Sequence, residues 1–139
     1  MQQEFHELSI RTPGRGFTMI TRDIDRIIRN SSLDSGLATM VLQHTSASLL
    51  IQENADPDVR VDFESWMGKT VCDGDPDFVH TMEGEDDMAA HIRTALTTVN
   101  LSIPFRNKNL TLGTWQGIYL WEHRYRPHHR QITIHLIGE

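Results

Sequence analysis

Alternation of apolar and polar residues predicts β-strands near both ends of the chain. In residues 131–137, Ile132, Ile134 and Leu136 fall on one face of an extended chain, which is the period-two pattern of a half-buried strand. Residues 5–11 alternate in the same way. Further strand-like segments are residues 37–52, which are interrupted, and residues 101–105, 110–113 and 116–124.

Apolar residues at helical spacing predict three short helices. The first covers residues 21–30, with Thr21 as its cap. The second begins at Pro57 after the N-cap Asp56, because Asp is favoured at a helix N-cap and Pro at the first helical position. The third covers residues 87–99. The predicted inner faces are Val59, Phe63, Trp66, Met67 and Thr70 in the second helix, and Met88, Ile92, Ala95, Leu96 and Val99 in the third.

Three short helices among about seven strands indicate an α+β fold. We expect one compact domain over residues 1–139, with a mainly antiparallel, sandwich-like β-sheet core. Residues 12–16 and 72–85 are rich in Gly, Pro or Asp and are predicted to be irregular. Residues 118–121 are apolar on both faces, so they form either a central strand or a contact with another subunit.

Composition excludes several classes of protein. The chain has 139 residues, of which 38% are hydrophobic and 23% charged, as in ordinary globular domains. A net charge of −6 argues against a general nucleic-acid binder, although a local cationic pocket stays open. There is no run of 18 apolar residues, no signal-peptide pattern and only one cysteine, Cys72. We therefore expect no membrane partner, no internal disulfide and a cytoplasmic location.

The segment from Gly113 to Gly117 combines turn residues with recognition groups. Trp115 offers a flat apolar face, and Gln116 offers two hydrogen-bond donors and one acceptor. Two interpretations of this chemistry stay open. The segment is either a tight turn that leads into a strand, with Trp115 in the core, or a turn that presents Trp115 and Gln116 to a ligand or another subunit.

The same segment belongs to a set of motifs that runs along the chain in a fixed order. The motifs are Leu112 to Arg124, His44 to Ser48, Asn54 to Pro57, Glu83-Gly84, Asp86 to Met88, His91-Ile92 and the closing Gly138-Glu139. This pattern resembles the YjbQ family of secondary thiamine-phosphate synthases, over about residues 9–139. The resemblance implies a homotrimer of β-rich subunits, with sites near the subunit boundaries.

Three histidines fall on recurrent histidine positions of that family: His44, His80 and His91. From the residues alone, a single His on an apolar face is more often a hydrogen-bonded core residue than a ligand. The resemblance implies instead that the three meet in one polar pocket and act as catalytic residues, together with Gln116. There they would bind a divalent metal, zinc or magnesium, or transfer protons near neutral pH.

Other polar residues are candidates for substrate binding. Glu53 and Asp87 lie in matched motifs and would orient a histidine or hold a metal, and Thr45 and Ser46 would hydrogen-bond the ligand or the backbone. No nucleophile elbow surrounds Ser46, which argues against a serine hydrolase. Residues 124–130 are the most cationic stretch. Its arginines are either substrate-phosphate ligands or the charges of an exposed hairpin turn.

The resemblance implies that the protein joins a pyrimidine diphosphate to a thiazole phosphate and releases pyrophosphate. In that reaction Arg124 and Arg130 would bind phosphate, while Trp115 would stack on a heterocycle. Two alternatives stay open: another metal-dependent enzyme acting on phosphorylated metabolites, and a non-enzymatic trimeric ligand-binding protein.

Overall fold

A computed structural model describes all 139 residues as eight strands and three helices. The strands are β1 (Gln2–Thr12), β2 (Gly16–Met19), β3 (Gly36–Leu42), β4 (Ala47–Glu53), β5 (Asn100–Arg106), β6 (Asn109–Leu110), β7 (Gln116–Glu122) and β8 (His128–Gly138). The helices are α1 (Thr21–Asn30), α2 (Pro57–Thr70) and α3 (Asp87–Leu96). None of the three is long and apolar enough to cross a membrane.

The strands form two sheets in which every pairing is antiparallel. The larger has the order β1-β8-β3-β5-β6, and the smaller has the order β2-β7-β4. In the larger sheet β8 lies between β1 and β3, so that Gly138 pairs with both Gln2 and Gly36. This arrangement confirms the predicted α+β domain with an antiparallel core.

One hydrophobic core joins the two sheets to α1. The residues predicted for the inner face of the last strand, Ile132, Ile134 and Leu136, are fully buried in it, as are Ile24 and Ile28 of α1. The period-two pattern therefore identified the core face of β8 correctly.

The helix bounds agree with the prediction better than the helix faces do. Asp56 caps α2 by accepting a hydrogen bond from the backbone of Asp58 at 2.9 Å. Thr21 does not cap α1, because Ile20 occupies the cap position and the Thr21 hydroxyl accepts the backbone N–H of Ile118 instead. That hydrogen bond ties α1 to β7.

The predicted inner face of α3 is wrong, and the helix ends at Leu96. Its buried residues are Asp87, Ala89, Ala90, Arg93 and Thr94. Charged residues occupy this face because they have partners inside the chain, which an apolar pattern does not reveal. In α2, Met67 is buried as predicted, but Trp66 is 61% exposed.

The two-sided apolar run in β7 is a central strand. β7 pairs with β2 on one side and β4 on the other, and residues 118–121 are buried within the chain. The run therefore gives no evidence about other subunits. The short strand β2 was not predicted, because only four residues follow the glycine-rich turn before α1 begins.

The chain passes between the two sheets three times at the same end of the fold. Residues 13–15 join β1 to β2, residues 43–46 join β3 to β4, and residues 123–127 join β7 to β8. The strand pairs Thr12–His128, Gly16–Glu122 and Ala47–Glu122 bring these connections together. Residues 123–127 therefore form a crossover between sheets and not a hairpin turn.

Candidate functional site

The crossover end of the fold carries a cluster of two histidines and one carboxylate. At its centre, Asp87 Oδ2 lies 2.7 Å from His80 Nε2 and 3.2 Å from His91 Nε2. The two imidazole rings are 5.6 Å apart, and one ligand atom from each of the three residues lies within 4.8 Å of the others. Asp87 is buried, whereas the histidine side chains are 33–46% exposed. We call these three residues the His–Asp–His cluster.

The second nitrogen of His91 determines how the ring is protonated. His91 Nδ1 lies 3.0 Å from the backbone oxygen of Thr45, and a carbonyl oxygen only accepts hydrogen bonds. Nδ1 therefore carries the hydrogen of the neutral ring, which leaves Nε2 as the unprotonated nitrogen, 3.2 Å from Asp87 Oδ2. An unprotonated imidazole nitrogen and a carboxylate oxygen are both metal-ligand atoms, so a divalent ion bound here would offset the repulsion between them.

Arg124 fixes the carboxylate of the cluster from the other side. Its guanidinium donates to Asp87 Oδ1 at 2.6 Å, to Asp86 Oδ2 at 2.9 Å and to the backbone oxygen of Glu83 at 2.9 Å. Burial raises the pKa of Asp86, but hydrogen bonds from the Tyr125 backbone and Arg124 outweigh it, and the net shift is downward. Arg124 thus positions carboxylates, and each of its three nitrogens already donates one hydrogen bond within the chain.

Arg130, which lies within β8, also forms its hydrogen bonds inside the chain. It is almost fully buried and forms a two-point ion pair with Glu122, while it also donates to Ser46. Burial raises the pKa of Glu122, whereas hydrogen bonds from Arg130 and Thr12 lower it, and the lowering prevails. The expectation that Arg130 binds substrate phosphate does not fit this burial.

A polar cavity of about 630 Å³ lies beside the His–Asp–His cluster. Its lining includes Arg124, Arg126 and His128, together with Asp86 and Met82. The Arg126 guanidinium has no hydrogen-bond partner within the chain. Arg126, rather than Arg124 or Arg130, is therefore the guanidinium available to an anionic ligand here, and His128 lines the same cavity.

His44 is next to the site but outside the cluster. It lies in the connection that supplies Thr45 and Ser46, and its neighbours are Arg130, Glu122 and His128. Burial and then the charge of Arg130 lower its pKa, which keeps the ring neutral. Asp87 takes the place in the cluster that the sequence-based hypothesis gave to His44.

Three predicted site residues lie at the far end of β7. Gln116 pairs with Glu53 there, six residues from Glu122, which is about 20 Å along a strand. The Gln116 side chain accepts the backbone N–H of Gly113 at 2.7 Å and closes its own turn, and Trp115 is 64% exposed. Within one chain, therefore, none of the three reaches the His–Asp–His cluster.

A supporting network behind the site was missed by the sequence analysis. Arg15 binds Asp73 through two hydrogen bonds of 2.7 and 2.9 Å and lies over the ring of Tyr125, whose hydroxyl also donates to Asp73. These residues are far apart in sequence, and no spacing rule connects them. Their effect is to fix the crossover at residues 123–127, and with it Arg124.

Comparison with known proteins assigns the family. Residues 6–139 match the family described as UPF0047 protein YjbQ-like. The chain belongs to this family. A UPF0047 protein of Synechocystis sp. is 46% identical over 132 residues, covering 95% of this chain and 90% of that protein. The UPF0047 protein YjbQ of Salmonella typhimurium is 45% identical over 126 residues, covering 90% and 91%.

Solved structures of the family share the fold. An uncharacterised YjbQ/UPF0047 protein from Clostridium acetobutylicum is 34% identical with a TM-score of 0.86, covering 95% of this chain and 99% of that one. A conserved hypothetical protein from Thermus thermophilus is 31% identical with a TM-score of 0.85 over the same shares. Family and fold are thereby shown.

Proposed function

We propose that this YjbQ-like protein is a divalent-metal-dependent enzyme that acts on a small phosphorylated substrate. The reaction to test first is thiamine-phosphate synthesis, in which a thiazole nitrogen attacks the methylene of a pyrimidine diphosphate and pyrophosphate leaves. The observation that carries the proposal is the convergence of His80, Asp87 and His91, each of which offers one ligand atom within 4.8 Å of the others.

The residues of the cluster fit a metal ion chemically. Two imidazoles and one carboxylate are a common ligand set for zinc and related divalent ions, and they leave positions open. The Thr45 carbonyl on Nδ1 of His91 is the outer contact that typically orients a ligating histidine. Arg124 plays the same part for Asp87.

The neighbouring cavity fits the substrate class. Arg126 and His128 would bind phosphate oxygens, while Asp86 and Arg124 hold the wall in place. When bound, the ion would neutralise charge that develops on the departing pyrophosphate.

Metal analysis of protein purified without a His-tag tests the proposal. We expect about one divalent ion per chain in the wild type, and loss of most of it in His91→Ala and Asp87→Asn. His129→Ala is the matched control, because His129 is exposed on β8 and outside the cluster. Equal metal content in all four proteins would contradict a metal at the cluster. Thiamine phosphate formation is then assayed with the pyrimidine diphosphate and the thiazole phosphate as substrates. Bound metal without product would indicate a different metal-dependent reaction.

The proposal includes a homotrimer, as the family resemblance implies. Trp115, Gln116 and Glu53 lie at the opposite end of β7 from Glu122, about 20 Å along the strand. We therefore place them at a site of a neighbouring subunit. Light scattering should then give about three times the 16.0 kDa chain mass. Mixing the inactive variants Asp87→Asn and Gln116→Ala should restore activity. In mixed trimers, some sites would combine an intact Asp87 from one subunit with an intact Gln116 from its neighbour. A monomer, or no restoration after exchange of subunits, would refute the shared site.

A further inference from the structure

An apolar groove between α2 and α3 is left uncovered by the chain. Its volume is about 650 Å³, and seven of its nine lining residues are hydrophobic. Trp121 and Leu50 of the smaller sheet form part of its lining, together with Phe63 and Trp66 of α2 and Leu96 of α3. It shares no residue with the cavity beside the His–Asp–His cluster, so it is a separate feature.

The side chains at the groove are unusually exposed for their type. Trp66 lies on the apolar stripe of α2 and is nevertheless 61% exposed, and Leu96 is 58% exposed. Phe63 is half-buried and packs edge-on against Trp121, at 6.0 Å between ring centroids. The groove therefore has a wall formed by the packed rings of Phe63 and Trp121, and the exposed indole of Trp66 lies beside it.

The charge of the residues that line the groove has one sign. Asp62 is the single charged residue of the lining, and it forms no hydrogen bond or ion pair within the chain. Thr97, the residue directly after α3, also lines the groove, and a helix C-terminus carries partial negative charge. No cationic side chain lines it.

We propose that this groove binds a small organic cation with an apolar body, such as a quaternary ammonium compound. Aromatic faces attract cations through their quadrupole, and Asp62 would supply the counter-charge. An anion would meet only negative charge, and a neutral apolar ligand would gain no attraction from Asp62, which is exposed at the groove. The volume lies in the usual range for small-molecule pockets.

Choline and its uncharged carbon isostere, 3,3-dimethyl-1-butanol, test the proposal directly. The readout is the set of indole N–H signals of the three tryptophans in ¹⁵N-labelled protein. We expect choline to shift the signals of Trp66 and Trp121 saturably and to leave Trp115, at the other end of β7, unchanged. The isostere should bind more weakly. No saturable shift with choline, or equal affinity for both compounds, would overturn the proposal.

Two variants separate charge from aromatic contact. Asp62→Asn should weaken choline binding roughly threefold to fivefold, as expected for a partly exposed charge pair, and leave the isostere unaffected. Trp66→Ala should weaken both compounds, whereas Trp115→Ala, which removes a similarly exposed tryptophan, should weaken neither. Asp25→Asn on α1 is the charge control. If Asp62→Asn has no effect, or if Trp66→Ala instead dissociates an oligomer, the groove binds something other than an organic cation.

Discussion

His123 follows the last residue of β7 and is completely buried, with only one ring nitrogen paired. Its Nε2 lies 3.0 Å from the Ser48 hydroxyl, while Nδ1 has no partner. Burial, followed by the charges of Arg93, Arg15 and Arg130, lowers the pKa of His123 to about 3. The folded protein therefore accepts this side chain only as a neutral ring.

His123 should make the protein less stable in mild acid. The unfolded chain binds a proton at the ordinary pKa of 6.5, so the stabilisation is complete above that pH and decreases as the pH falls from 6.5 toward 3. We expect a loss of about 2 kcal/mol in the free energy of unfolding by pH 5. Urea unfolding at pH 7.5 and 5.0 measures it.

His123→Gln is the matched variant, because glutamine has no proton to gain in this range. The variant should be less stable at pH 7.5 but should lose less stability than the wild type on going to pH 5.0. The pKa of His44 is shifted in the same direction, so the difference between the two proteins, rather than the wild-type slope, is decisive. Parallel losses would rule out His123 as the cause.

At the scale of elements, the buried ion pair between β7 and β8 links the two sheets. Glu122 ends β7 in the smaller sheet, and Arg130 lies within β8 in the larger one. Ser46 and Thr12, which flank the other two crossovers, complete the hydrogen bonds. This ion pair is thus a buried polar contact between two sheets that otherwise pack through apolar residues.

Breaking this pair on one side should be costly. Glu122→Gln leaves the guanidinium of Arg130 buried without its counter-charge, and we expect a loss of about 3 kcal/mol in the free energy of unfolding. Chemical denaturation measures the loss. In the double variant Glu122→Gln/Arg130→Met the unpaired charge is gone, so it should be more stable than Glu122→Gln alone. Glu7→Gln on the exposed face of β1 is the control, and a comparable loss there would contradict the argument.

The sequence pattern predicted the helices and strands well, but it did not predict which charged residues are buried. Apolar alternation identified β8 and its core face because burial of one side of a sheet requires that period. The inner face of α3 was mispredicted because Arg93 is buried with partners, Glu64 and the backbone of Val71, that come from α2 and the residue after it. Ion pairs between distant segments leave no local pattern.

The site shows the same limit. The motif positions pointed to His44, His80 and His91 as neighbours, and of these His80 and His91 lie together at one end of the fold, with Asp87. They did not show that Asp87 rather than His44 joins the two histidines, or that Arg124 and Arg130 are already engaged by carboxylates. Those facts depend on side-chain geometry at the three crossovers.

At the scale of the whole molecule, the position of β8 governs how the chain must fold. β8 separates β1 from β3, and Thr12 lies beside His128 although the two are 116 positions apart in sequence. Closing so long a loop costs conformational entropy, and this cost precedes the hydrogen bonds between β1 and β8 that stabilise the sheet. We therefore expect refolding on the millisecond-to-second scale typical of non-local β topologies, with the exposed edge of β3 as the surface most open to aggregation until β8 is in place.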